Sequence, residues 1–244
     1  MEKYFYATKK AEFYDLTIES VIPNYNLMLQ VVHNFIRSQY DLNEEIKILD
    51  IGAGTGNDSL PILESLKNST LDACDLSQEM CKVFENNAEK RNITFDRFTF
   101  QVENYLDVEY KKKYFDIAIS AYCIHHYELK DKLKFFKKVF SELKAGGVFI
   151  LVDLSNYESE SISQYCHESD IAYIDTSFDK LVEKENSEVR MHLLSSKEGW
   201  IYHMDNDNIL DTTEIQIHSL KKVGFVSVEC IFKYLQHSIV IAKK

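Results

Sequence analysis

The chain has 244 residues, 45% of them hydrophobic, and a formal net charge of −11. That length fits one large domain or a domain with a sizeable insertion, and 15 Tyr and 15 Phe supply ample material for a packed core. The sequence has no run of about eighteen apolar residues, so a membrane partner is not expected. The opening Met1-Glu-Lys-Tyr-Phe-Tyr6 lacks the charged-then-apolar layout of a secretion signal. Five scattered cysteines with no CxxC pair point to reduced thiols in a cytoplasmic protein, not to a disulfide or zinc framework.

Charge is uneven along the chain. Between Asp153 and Glu214 stand 15 acidic and 4 basic residues, which accounts for the whole excess and leaves the remainder neutral. Such a segment repels polyanions, so nucleic acid is not an expected partner; equally, the acidity serves to keep a surface insertion soluble.

The first 22 residues carry aromatic clusters, Tyr4-Phe-Tyr6 and Phe13-Tyr14, without a clear helical period. Pro23 suits a first helical turn, and Leu27, Met28, Val31, Val32, Phe35 and Ile36 follow at three-and-four spacing, which predicts an amphipathic helix over 24–38. Strands and helices then alternate. Strands are predicted at 46–51, 70–75, 98–102, 115–120 and 148–152, with helices at 57–67, 78–90 and 129–143, the last closed by Ala145-Gly-Gly147. Continuous apolar strands alternating with amphipathic helices describe a parallel sheet covered on both faces.

After Asp153 this rhythm breaks. Residues 154–212 are polar, with helical patterns at 161–173 and 177–194, and a stretch of this length inside a compact domain reads as a cap or lid. Thr213 with Gln216 forms a capping box for a helix ending at Gly224, and strands at 225–231 and 237–242 are too close in sequence for anything but antiparallel pairing. The resulting fold class is α/β: a Rossmann-like, doubly wound, seven-stranded and mostly parallel sheet with an antiparallel last strand and an inserted helical cap. The domain is expected to comprise 1–153, with a helical N-terminal segment over 1–40, and 213–244; 154–212 is the acidic insertion.

The most informative motif is Ile46-Lys-Ile-Leu-Asp-Ile-Gly-Ala-Gly-Thr-Gly56. A β-branched run stops at Gly52, Gly54 and Gly56, which reads as a buried strand delivering a tight loop where backbone approaches a ligand. Asp75 ends the next strand, where a carboxylate accepts both hydroxyls of a ribose. Spacing of G-x-G-x-G, in place of G-x-G-x-x-G, does not call for a pyrophosphate, and the terminal strand pair replaces the second half of a dinucleotide fold.

Taken together, these residues resemble the class I S-adenosylmethionine-dependent methyltransferases, over roughly 40–152 and 213–244. Asp50-Ile-Gly-Ala-Gly-Thr-Gly56 looks like the family's first motif, with Asp50, Gly52, Ala53, Gly54 and Gly56 at the cofactor; Asp50 would face either loop amides or, through water, the cofactor's ammonium. Asp75-Leu-Ser-Gln-Glu-Met80 looks like the second, implying Asp75 at the ribose and Leu76, Ser77 and Met80 beside it; Ser77 also suits a helix cap, and Met80 equally suits the core. Ser120-Ala-Tyr-Cys-Ile-His-His126 looks like the loop after the fourth strand, which implies Ser120 near the methionine part and Tyr122 facing the substrate. The family's third-strand loop presents an Asp near adenine. Here Glu103-Asn104 occupies that region, with Asn104 and Tyr105 as the implied contacts. Tyr14 and Tyr25 resemble the N-terminal segment that closes over the cofactor carboxylate, or else pack in the core.

The implied function is methyl transfer from S-adenosylmethionine to a small-molecule amine or hydroxyl. Alternatives are a carboxy-S-adenosylmethionine synthase of tRNA modification, to which the Ile22-Pro-Asn-Tyr25 and Phe232-Lys-Tyr234 segments bear a distant resemblance, and a non-catalytic cofactor-binding protein. His125 and His126 are the catalytic candidates, as proton acceptors with pKa values near neutrality or as loop anchors. No metal is expected: neighbours on a loop point apart and no ligand follows at helical spacing. Asp205-Asn-Asp207-Asn lacks the turn glycine of a calcium loop. Trp200, Tyr202 and Lys233 are candidate substrate contacts alongside His125. The oligomeric state is not legible.

Overall fold

Lys47–Ile51 (β1), Thr70–Asp75 (β2), Phe98–Val102 (β3), Phe115–Ala121 (β4), Leu143–Leu154 (β5), Ser227–Tyr234 (β6) and His237–Lys243 (β7) form one sheet in a computed structural model that describes residues 11–244. The order is β3-β2-β1-β4-β5-β7-β6, parallel from β3 to β5, with β7 antiparallel to both neighbours. This is the seven-stranded arrangement expected from the strand–helix alternation. Strand order reverses between β1 and β4, so their carboxyl ends diverge into a crevice, the place where open α/β sheets bind ligands.

Alternation along each strand divides the core between the two faces. Ile48, Ile117, Ile119 and Ile150 belong to one buried cluster, and Leu49, Ile51, Ala118, Phe149 and Leu151 to the other. Helices α2 (Tyr25–Gln39), α3 (Leu60–Ser65) and α4 (Gln78–Lys90) supply the first cluster, whereas α5 (Leu129–Glu142) and α8 (Thr213–Val223) supply the second. The α8 cap lies one residue earlier than expected. Thr212 accepts from Ile215 N–H at 3.2 Å, and Gln216 spends its amide on Leu154 C=O. Helix α3 starts later than the pattern suggested, because residues 57–59 form turns.

Within the insertion, two short helices were expected but two long ones form, α6 (Glu160–Glu183) and α7 (Ser187–Asn206). Cys166, Asp170, Ile174 and Phe178 make a single buried stripe at four-residue spacing, so the helix runs straight through the expected break at 174–176. A further helix, α1 (Ala11–Val21), packs against α6, with Tyr173 OH donating to Glu19 C=O at 2.8 Å. Tyr4-Phe-Tyr6 lies outside the described residues. Ile174, Phe178, Leu193 and Trp200 merge with the core of the sheet's first face. The stems of the insertion meet where Asn156 N–H donates to Asp211 C=O at 2.8 Å. Among the described residues no helix is long and apolar enough to cross a membrane.

The loop after β1 shows why glycine stands there. Gly52 has φ +72°, and an added Cβ would lie 2.6 Å from Cys123 Sγ in the loop after β4. Left-handed backbone costs an alanine on the order of 1–2 kcal/mol, and overpacking adds about 1–3 kcal/mol. Gly52→Ala is therefore expected to lower the denaturant midpoint sharply, and an unchanged unfolding curve would contradict this packing.

Candidate cofactor and acceptor site

The glycine loop and the end of β2 are bound together. Gly52 and Ala53 N–H both donate to Cys74 C=O, at 2.9 and 3.0 Å, and Gly54 N–H donates to Asp75 Oδ2 at 3.0 Å. Asp75 Oδ1 accepts from Ser77 N–H at 2.9 Å, and Ser77 Oγ caps α4 by accepting from Met80 N–H. The carboxylate is thus aimed rigidly from the strand end, beside an exposed Leu76 and a buried Met80. Burial raises its pKa and the amides of Ser77, Gly54 and Leu76 oppose that shift. Of the three glycines, Gly52 and Gly56 are closed off by protein atoms, whereas an added Cβ at Gly54 would meet nothing within 4 Å. That open space lies next to Asp75, where a nucleoside would seat.

Asp50, at the end of β1, is buried, and its Oδ2 has no hydrogen-bond partner among the described residues. Burial pushes its carboxyl up to about 7, and Asp58 is raised likewise to about 7 by burial. An unpaired buried carboxyl oxygen is costly unless a donor reaches it, and a ligand ammonium is such a donor. Tyr25 is buried at the head of α2, with its hydroxyl pKa raised by burial and by Asp58. Asp15 was not singled out from sequence. Its oxygens accept from Thr55 Oγ1 at 2.6 Å and from the amides of Asn57 and Asn87 at 2.8 Å each, tying α1 to the glycine loop. One acid between Glu12 and Glu19 in an aromatic segment offered no pattern by which to find it.

Across the crevice, Tyr122 adopts φ +50° and its hydroxyl lies 3.0 Å from His237 Nδ1. His237 Nε2 lies 3.4 Å from Asp170, a carboxylate buried on α6. His125 sits in a 3-10 turn, Ile124–His126, where its Nδ1 donates to Asp153 Oδ1 at 2.5 Å. Asp153 stands near the end of β5 as Asp75 ends β2, a strand-end signal that was not drawn on for Asp153. Adjacent histidines were expected to point apart, but the tight turn brings the rings of His125 and His126 to 4.0 Å, and α7 adds His203 at 5.1 Å from His126. Burial, with His125 and His203 nearby, pushes His126 down to about 2, so it is neutral at ordinary pH. Trp200 is buried 6.0 Å from the ring of Tyr14 and 6.1 Å from that of His203.

Several expected contacts are engaged elsewhere. Ser120 Oγ donates to Ile51 C=O and ties β4 to β1. The Tyr105 side chain packs 4.6 Å from Phe135 and donates to Glu142 Oε2, on the face of the sheet opposite the N-terminal helices. Asn104 Oδ1 accepts from Leu106 N–H in a local turn. Tyr202 is 54% exposed at the surface of α7. Lys233 donates to Ser155 Oγ, Asn156 C=O and Thr213 Oγ1, 4.1 Å over the Tyr157 ring, and so braces the root of the insertion.

Residues 48–147 match the sequence pattern of a family described as a methyltransferase domain. A phosphoethanolamine N-methyltransferase of Plasmodium falciparum is 30% identical over 126 residues, covering 52% of this chain and 46% of that protein. The chain thus spans about half the length of that relative. A carboxy-S-adenosyl-L-methionine synthase of Campylobacter lari is 24% identical over 245 residues, covering 100% of this chain and 96% of the relative. Among solved structures, an S-adenosyl-L-methionine-dependent methyltransferase of Methanococcus maripaludis, itself described as putative, superposes with a TM-score of 0.60 at 16% identity, covering 100% of this chain and 95% of that one. A magnesium protoporphyrin IX methyltransferase of Synechocystis, solved with bound S-adenosylhomocysteine, gives 0.61 at 12% identity, covering 93% and 85%. Identities this low show the fold alone.

Proposed function

We propose that this chain acts as a class I S-adenosylmethionine-dependent methyltransferase, as the methyltransferase-domain match over residues 48–147 supports, and that it methylates an amine or hydroxyl of a small molecule. S-adenosylmethionine, when bound, supplies a methyl group made electrophilic by its sulfonium. The residues that would hold it are Asp75 at the ribose, the Gly54 loop beside it, Leu76 and Met80 at the adenine, and Asp50 at the ammonium.

The observation that supports the small-acceptor reading is the packing of the insertion against α1 and the loop after β4, which we read as a roof over the crevice. Tyr14 of α1 and Trp200 of α7 stand 6.0 Å apart, and Ile209 N–H donates to His125 C=O at 2.8 Å, so the insertion lies directly on the loop after β4. A covered crevice holds the nucleophile in line and excludes water, and its acidic roof suits a cationic or neutral acceptor better than a phosphate-rich polymer. Transfer to nitrogen or oxygen releases a proton. With no ion bound, His125 Nε2 would take it, because Nδ1 is committed to Asp153. The unpaired thiols fit a reducing, cytoplasmic setting.

The full-length similarity to carboxy-S-adenosylmethionine synthases supports a second reading, but the site chemistry opposes it. A carboxylated sulfonium calls for a cation opposite the carboxylate. Among the described residues Arg37, Arg91, Arg97 and Arg190 are each bonded to protein partners, and Lys233 is engaged at the root of the insertion. The test is incubation with S-adenosylmethionine and pools of amines and phenols, followed by mass analysis of the cofactor. Appearance of S-adenosylhomocysteine with a methylated acceptor is expected; a carboxylated sulfonium, or tight binding without turnover in every pool, would overturn the reading.

A further inference from the structure

We propose that His125, His126 and His203 form a binding site for a divalent transition-metal ion of the zinc type, which fastens the insertion to the edge of the sheet. Each ring offers one nitrogen, and these three nitrogens lie within 4.8 Å of one another. His125 and His126 come from the turn after β4, whereas His203 comes from the last turn of α7, so an ion held by all three would join the sheet to its roof.

The surroundings are those of a metal centre. Histidine ligands of metals ordinarily donate their second ring N–H to a carboxylate or backbone carbonyl, which fixes the tautomer and turns the other lone pair to the ion. Here His125 Nδ1 is held by Asp153 Oδ1 at 2.5 Å, His203 Nδ1 by Asp207 Oδ2 at 3.0 Å, and His126 Nδ1 faces Asp207 C=O at 3.4 Å. All three Nδ1 atoms thus meet oxygen acceptors, and the cluster draws one nitrogen from each ring. Asp207, dismissed as part of a calcium loop, orients two of the three. Its segment is locked in turn, since Ile209 N–H donates to His125 C=O and buried Lys132 donates to Ile209 C=O at 2.6 Å and Asp211 Oδ2 at 2.7 Å.

Imidazole nitrogen suits zinc, copper, nickel and iron more than magnesium or calcium. Bonds of about 2.0–2.1 Å in a tetrahedral site put nitrogens roughly 3.4 Å apart, an approach of about an ångström that rotation about the loose terminal torsion of histidine supplies. Three protein nitrogens leave a fourth position for water or a substrate heteroatom. Loaded with an ion, the histidines act as ligands and no longer as proton acceptors.

The site is assembled from this chain alone and does not depend on methyl transfer. The test is titration of chelator-stripped full-length protein with cobalt(II), read by its visible absorption and by competition with zinc(II). One cobalt per chain with four-coordinate bands is expected. His203→Ala should abolish stoichiometric binding, Asp207→Asn should weaken it by about 10–100-fold, and His167→Ala, at a partly exposed histidine of α6 paired with Asp205, should leave it intact. His203→Cys should retain the ion and add a sulfur-to-cobalt charge-transfer band, which an unfolded variant would not. Absence of stoichiometric cobalt, or equal binding by wild type and His203→Ala, would overturn the proposal. Either result leaves the methyl-donor assignment standing, because no activity is read.

Discussion

Calorimetry with S-adenosylmethionine is expected to show a loss of about 10²–10⁴-fold in affinity for Asp75→Ala, since each hydrogen bond to a charged acceptor contributes about 1.5–3 kcal/mol and a ribose offers two. Asp75 also holds the amides of Gly54 and Ser77, so part of the loss will come from a loosened loop. Asp75→Asn separates the contributions. It keeps a carbonyl oxygen for one of those amides, and its affinity should fall between wild type and alanine. Equal affinity in wild type and Asp75→Ala would remove the cofactor assignment and every reading built on it.

The second large effect is on pH. Burial raises the Asp50 carboxyl to about 7 in the folded state, against about 3.9 in an unfolded chain. Between those values the folded protein binds the extra proton, so stability falls as pH rises. The contribution is fully present below about pH 4 and is lost as pH approaches 7, with an upper bound of roughly 4 kcal/mol for this single group. Denaturant unfolding of the cofactor-free protein at pH 4.5, 6 and 7.5 should show this decline. Asp50→Asn should flatten it, leaving the separate step of Asp58, which is raised likewise to about 7. A cationic ligand reverses the sign. An ammonium opposite Asp50 favours the ionised carboxylate, so S-adenosylmethionine affinity should climb toward pH 7 in wild type and stay level in Asp50→Asn. Parallel profiles in the two proteins would show that Asp50 does not meet the ammonium.

Where local periodicity decides structure, the sequence was a sufficient guide. Strands at 46–51 and 115–120 and the helix at 24–38 fall within a residue or two of β1, β4 and α2. Their apolar spacing is the same information that packing uses. Gly54 and Asp75 were legible for a related reason: backbone handedness and a strand-end carboxylate are properties of single positions. Side chains whose role depends on partners distant in sequence were not legible. Ser120, Tyr105 and Lys233 carry residue types that fit a ligand site, yet each finds a protein partner that only the folded chain brings near.

The sequence by itself determined the sheet, the glycine turn and the carboxylate opposite it, because these follow from short-range spacing and from what glycine and aspartate can do alone. Only the tertiary structure decided that α1, α6 and α7 pack on one another and join the core of the sheet's first face. It also decided that Asp15 ties α1 to the glycine loop, and that His203 meets a histidine pair 77 residues earlier. Those meetings are set by burial of the stripe through Ile174 and Phe178 against the sheet's first face. Such burial is non-directional and leaves no mark in the spacing of the residues it brings together.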